Sequence, residues 1–279
     1  MKILITGANG MLGRTLRQEL ADETLVATDI ETDITQAPVI DDAIARHKPD
    51  AVIHCAAFTA VDRCETERAV AFAINAVGSC NVALSCARHR ARLIAISTDY
   101  VFDGNSPHPY TEQDTATGGK TVYGQSKFAG EELIRGHCPD HIIARTAWLY
   151  GPGGPSFVHT MLNLASKSSD AIKVVNDQRG NPTSTLALAR HIRILLRHPD
   201  IRGTVHLTCE DSATWYEFAR EIFRLKRIAQ DVIPVTTAEY PRPAPRPANS
   251  QLEKAALKAH RLPPMPDWRD ALAEFLAKI

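Results

Sequence analysis

The chain carries no excess charge of either sign and no basic run. Its 32 lysines and arginines balance 32 aspartates and glutamates. That argues against nucleic acid and acidic membranes as partners, since both demand concentrated positive charge. No run of ~18 apolar residues is visible, so no transmembrane helix is expected. The sequence opens straight into a strand-like segment, so no signal peptide is expected and the anticipated location is cytoplasmic. Cysteines are few. The six of them (Cys55, Cys64, Cys80, Cys86, Cys138, Cys209) show neither a C-x-x-C pair nor His–Cys metal spacing. They read as reduced, small hydrophobes, and no metal is implied. Repeats and low-complexity segments are also missing.

What remains is a globular composition. With 279 residues and 44% hydrophobic content, the chain is sized for one large domain, or one domain with a smaller appendage. Apolar strand-like runs recur at 2–6, 24–28, 51–54, 92–97, 141–145 and 172–175, with helical stretches such as 36–47 and 65–89 between them. Strands alternating with helices imply parallel pairing, so the expected class is α/β with a doubly wound parallel sheet of Rossmann type. Past residue 150 the pattern loosens into Gly151-Pro-Gly-Gly-Pro155, the loop Gln178-Arg-Gly-Asn-Pro-Thr183 with a helix after it, and the proline-rich stretch Tyr240–Pro247. The expected division is a dinucleotide-binding domain over 1–150, its sheet open to completion by later segments. Residues 151–279 then form mainly a smaller, partly interleaved substrate domain.

The first strand runs into Gly7-Ala-Asn-Gly-Met-Leu-Gly13 and then a helix. This order suits a dinucleotide pyrophosphate: Gly7 for the tight turn, Gly10 for close backbone approach, Gly13 for packing of helix on strand. The helix start, at Met11 and Leu12, offers free N–H groups to phosphate. A second strand ends at Asp29, where a ribose-binding carboxylate belongs. Asp29, Glu31 and Asp33 make that corner acidic and would repel a 2′-phosphate. NADH is therefore expected over NADPH, with Arg14 as the one nearby cation that leaves NADPH open.

The acid–base signal lies in Tyr123-Gly-Gln-Ser-Lys127, with Ser97-Thr-Asp-Tyr100 upstream. If Tyr123 begins a helix, Lys127 falls one turn along the same face. An ammonium there would favour the phenolate, lowering the phenol by roughly 1–3 units from its ordinary ~10. Thr98 ends an apolar strand and is placed to hold a substrate oxygen against that phenol. Together these residues are suited to carbonyl reduction.

Further segments extend the pattern: His54-Cys-Ala-Ala-Phe-Thr-Ala-Val-Asp62, Arg145-Thr-Ala-Trp-Leu-Tyr-Gly151, Asn176-Asp-Gln-Arg-Gly-Asn-Pro-Thr183 and Ala244-Pro-Arg-Pro-Ala-Asn-Ser250. With the glycine loop and the Tyr–Lys segment, they resemble the extended short-chain dehydrogenases and, more closely, the dTDP-4-dehydrorhamnose reductase family, nearly end to end. The resemblance implies reduction of the C4 ketone of dTDP-4-dehydro-L-rhamnose. It makes Tyr123 the proton donor, Lys127 the holder of the nicotinamide ribose and Thr98 a hydrogen-bonding partner of the reacting oxygen. Asp99, Tyr100 and Trp148 fall on the substrate side, and Arg246 is a candidate for the diphosphate. Cofactor contacts are expected from Gly7, Gly10, Met11, Leu12, Gly13, Asp29, Asp33, Ile34, Ala56, Ala57 and Phe58, besides Tyr123 and Lys127. A polar residue is common in this family where Phe58 stands. A homodimer is compatible with the resemblance. Two alternatives remain: reduction of another nucleotide 4-ketosugar, and a non-catalytic dinucleotide-binding subunit like the regulatory chain of methionine adenosyltransferase.

Overall fold

The structure, a computed structural model, describes residues 1–167 and 170–279. Its centre is a parallel sheet built from β1 (Lys2–Thr6), β2 (Thr24–Thr28), β3 (Ala51–His54), β4 (Arg92–Thr98) and β5 (His141–Thr146), with Gly203–His206 as the sixth strand. The spatial order is β2-β1-β3-β4-β5 and then Gly203–His206. Alternating side chains divide the core into two layers. Ile3, Ile5, Ile53, Ile94 and Ile142 face one side; Leu4, Val52, Leu93 and Ile143 face the other. On the first side α1 (Met11–Glu19) packs beside the helix Thr185–Leu196. On the second lie α2 (Ala37–His47), α5 (Ser79–His89) and α6 (Val122–His137).

Between β3 and α5 come α3 (Val61–Thr66), α4 (Arg68–Phe72) and a π-helical turn, Ala73–Gly78. Residues 68–89 form one helix, long and apolar enough by length and composition to cross a membrane, against the expectation from the sequence. Half of its apolar window is buried inside the fold, packed on α2 and α6.

The sheet does not end near residue 150. Its sixth strand and a covering helix come from the second half, because β5 would otherwise expose an edge of unpaired backbone groups. The strand expected at 172–175 exists but pairs, among the described residues, only with Val232–Val235, in a separate two-stranded sheet. The helices Phe157–Lys167 and Trp215–Lys226 complete that smaller lobe. All six cysteines are unpaired, four of them buried.

Strand order reverses between β1 and β3, which places the ligand crevice at their carboxyl ends. A buried chain of polar groups fixes that point. Thr6 Oγ1 lies 2.8 Å from His54 Nδ1, and His54 Nε2 lies 3.1 Å from Ser79 Oγ. Burial, with the Lys127 charge adding to it, pulls His54 down to about 3. Burial also pulls His206 down to about 3, with Arg145 contributing. Each contributes stability in full above ~6.5 that is lost as pH falls towards 3. Asp99, raised to about 6, works in the opposite direction, but one carboxyl stands against two imidazoles. The unfolding free energy from urea titration should therefore fall as pH drops below ~6.5, at up to about 1.4 kcal/mol per pH unit for each histidine. His54→Asn should flatten that slope. An identical slope in the variant would place the acid sensitivity elsewhere.

Candidate active site

A cleft of 410 Å³ opens at the carboxyl ends of β1, β3, β4 and β5. One wall is the glycine loop. Gly7 has φ +64°, and a Cβ there would fall 2.8 Å from Ala56 backbone atoms, so β1 and the segment after β3 touch through bare backbone. Gly10 caps α1 without any side-chain hydrogen bond. The first amides of α1, at Met11, Leu12 and Gly13, have no intrahelical acceptor and line the cleft. Open amides at a dipole's positive end fit a pyrophosphate, and the structure therefore suits the dinucleotide expected from the sequence.

Opposite stand Thr98, Asp99, Tyr100, Tyr123 and Lys127, all lining the same cleft. Thr121 caps α6 by accepting from the Gly124 amide at 3.0 Å. A Cβ on Gly124 would lie 2.2 Å from the Tyr100 carbonyl oxygen. Only glycine lets the first turn of α6 approach the end of β4 so closely, and this approach sets Tyr123 beside Thr98 and Tyr100. The Tyr100 and Tyr123 rings meet edge-on at 5.5 Å.

Asn75, unremarked in the sequence, holds this arrangement from behind. Fully buried in the π turn, it accepts from the Phe58 amide at 2.8 Å and donates to the Phe58 carbonyl at 3.0 Å and to Ser126 Oγ at 2.9 Å. One amide side chain thus joins the loop after β3 to α6, which carries Tyr123 and Lys127. A π turn often marks such a site, but the sequence signals it only as one polar residue in an apolar run.

The electrostatics correct one expectation. Burial raises the Tyr123 phenol above its ordinary range, the Thr98 hydroxyl opposing and the Asp99 charge reinforcing it. Lys127 does not lower it: its amine donates to the Ile96 carbonyl at 2.7 Å, and burial brings the lysine itself down to about 8, while Glu131 holds it up. Desolvation of the phenol outweighs a neighbouring charge already engaged elsewhere. Burial raises Asp99 to about 6 as well. Its Oδ1 accepts from Thr98 Oγ1 at 2.8 Å, and the Thr98 and Ser250 hydroxyls oppose the rise. Thr98 therefore has its proton committed to Asp99 whenever that carboxyl is ionised.

Other expected contacts are placed differently. Ala57 lines the cleft, whereas Ala56 packs against Gly7 beneath it. Phe58 sits in an apolar cluster with Phe72, Tyr100, Val122 and Tyr123, under the Arg63 guanidinium, and so supports the tyrosines. Ile34 belongs to the core beside Leu4 and Val52. Asp33 is taken up by the Thr35 amide and hydroxyl in the turn before α2. Asp29 accepts from the Asn9 and Ile30 amides at the rim. None of these last three lines the cleft.

A second cavity, of 310 Å³, is lined by Phe157, Gln178, Trp215, Tyr240, Arg242 and Arg246 among others. Arg246 lies here and not in the first cleft; its Nη1 donates to Asp62 at 2.9 Å and to the Ala244 carbonyl at 2.7 Å. Trp148 lines the first cleft and Trp215 the second, and their rings stack at 3.4 Å and 4°.

The whole chain, residues 1–279, matches the family described as RmlD substrate binding domain. A crystal structure of a dTDP-4-dehydrorhamnose reductase from Clostridium acetobutylicum superposes with a TM-score of 0.96 at 43% identity, covering 100% of this chain and 99% of that one. The chain belongs to the dTDP-4-dehydrorhamnose reductase family. Another of its members, from Bacillus anthracis and in complex with NADP, is 37% identical with a TM-score of 0.96 and coverage of 100% and 99%. A probable dTDP-4,6-dihydroxy-2-methyloxan-3-one 4-ketoreductase from Streptomyces antibioticus is 44% identical over 98% of this chain and 94% of its own length. The family and its fold thus match the resemblance.

Proposed function

We propose that this chain reduces the C4 ketone of dTDP-4-dehydro-L-rhamnose to dTDP-L-rhamnose. The observation that carries the reading is the convergence of Thr98, Tyr123, Lys127 and the open amide face of α1 on one cleft. An acid, its neighbours and a dinucleotide cradle within a single crevice are what carbonyl reduction requires. A second cavity bearing Arg242 and Arg246 gives the nucleoside diphosphate a cationic seat, since guanidinium forks match phosphate oxygens.

The bound reduced nicotinamide supplies the hydride. Tyr123, kept protonated by burial, delivers its proton to the C4 oxygen as charge develops there. Thr98, tied to Asp99, orients the phenol and accepts no net proton. Lys127 retains two N–H bonds beyond that to Ile96, enough to hold a ribose hydroxyl and to return a proton to Tyr123. The intact Thr98, Tyr123 and Lys127 set disfavours a purely regulatory subunit. The Streptomyces antibioticus relative makes another 4-ketosugar the competing substrate.

NADH is the proposed reductant. Asp29 at the rim, with Glu31 accepting from its amide at 2.7 Å, opposes a 2′-phosphate, and Arg14 already donates to the Asn9 carbonyl at 2.7 Å. Steady-state oxidation of NADH and of NADPH by dTDP-4-dehydro-L-rhamnose tests both points. Turnover with a lower KM for NADH supports them. A lower KM for NADPH would transfer the ribose contact to Arg14; no oxidation of either would remove the reaction.

A further inference from the structure

The Trp148–Trp215 stack is the partition between the two cavities, and it is held under constraint. Trp148 has φ 47°, a left-handed conformation that a bulky residue adopts only when its surroundings enforce it. Behind its ring lies Gly180, where a Cβ would fall 2.5 Å from the indole. In front lies Trp215, whose ring also meets Phe157 at 4.6 Å. Trp215 opens its helix directly after Thr214, which caps the helix and donates to Asn176 Oδ1 at 2.7 Å. Gly180 pairs with Ala213, and Arg179 with Thr214. The segment 176–181 therefore grips both tryptophans, one by Gly180 and the other through Thr214. It also reaches the second cavity, since Gln178 lines it and Asp177 accepts from the Thr237 amide and hydroxyl.

We propose that Trp215 is a specificity-determining positioning residue: through its stack on Trp148, occupancy of the second cavity by a nucleoside diphosphate sets the shape of the ketone cleft. This rests on the reading of that cavity as the nucleotide seat. Binding energy from a part of the substrate remote from the ketone is thereby used to place the reacting carbon.

Two indoles stacked this closely give an exciton couplet in circular dichroism, which Trp148→Phe and Trp215→Ala should each abolish. The test titrates dTDP alone into the NADH-loaded protein and follows that couplet, then compares kinetics. The couplet should change on dTDP addition in the wild type. Trp215→Ala should raise the KM for the dTDP-ketosugar roughly tenfold, as expected for loss of an aromatic pair. Its kcat should fall alongside while NADH affinity stays near wild type, and Trp215→Phe should recover most of both losses. A couplet indifferent to dTDP overturns the proposal, as does an unchanged KM in Trp215→Ala. Equal loss of NADH affinity, unrescued by phenylalanine, also overturns it by reducing Trp215 to a structural residue. If the wild type fails to turn over the ketosugar, the proposed function fails, while the dTDP response of the couplet still decides the role of Trp215.

Discussion

Tyr123→Phe should lower kcat by a factor of about 10²–10⁴ while leaving NADH affinity within about twofold, the range a general acid contributes. The substitution removes one oxygen and keeps the ring, whose packing among Phe58, Phe72, Tyr100 and Val122 is apolar. The two polar neighbours are each partly engaged. Thr98 has its proton on Asp99 at 2.8 Å, and the Lys127 amine is anchored to the Ile96 carbonyl at 2.7 Å. Burial keeps the phenol protonated well above neutrality, so the proposed acid carries its proton at physiological pH without any help from a depressed pKa. Steady-state rates paired with an NADH fluorescence titration check this. A variant that retains most of its kcat would assign the proton to another group; joint loss of rate and NADH binding would make Tyr123 structural.

The largest effect on stability is expected at Glu131. Only 2% exposed, it receives Arg145 through two hydrogen bonds of 2.9 and 2.6 Å, Ser97 at 2.5 Å and Arg135 at 2.8 Å. Burial pushes its carboxyl up, but Arg145 and these other partners bring it below the ordinary range. Glu131→Ala strands the buried Arg145 guanidinium, whose Nη1 already lacks a partner. Breaking such a pair from one side costs about 3–5 kcal/mol. Replacing both members, as Glu131→Leu with Arg145→Met, should recover much of that, because desolvation of the pair offsets most of its attraction. Urea unfolding of the three proteins gives the comparison. A double variant as unstable as Glu131→Ala would show that the pair itself, and not the stranded charge, carries the stability.

Glu131 also reaches the chemistry. It lies one turn beyond Lys127 on α6 and holds that lysine's pKa up. Its loss should let Lys127 fall below about 8 and discharge nearer neutrality, drawing in the alkaline limb of the rate profile.

The sequence made the centre of this molecule readable because its signals are local. The glycine loop, the alternation of strands and helices, and the Tyr123–Lys127 spacing each operate within a few residues. Contacts made by the fold itself were not legible. Asn75 works by bridging Phe58 and Ser126, and Trp215 by meeting Trp148 across 67 residues. The strand Gly203–His206 has no strong pattern of its own and is defined by pairing with β5. The pKa of Tyr123 escapes the sequence for a related reason: helical spacing places a charge nearby, but burial, which wins, is a property of the assembled cleft. The loop of Arg246 does not reveal that its guanidinium also meets Asp62, 184 positions away, at the border of the second cavity.

The central claim is tested most directly by the fate of the hydride. Protein supplied with dTDP-4-dehydro-L-rhamnose and NADH deuterated at the transferring position should give dTDP-L-rhamnose with deuterium at C4, and release NAD in equal amount. A product without deuterium, or a ketosugar left unreduced in the presence of bound NADH, would contradict it.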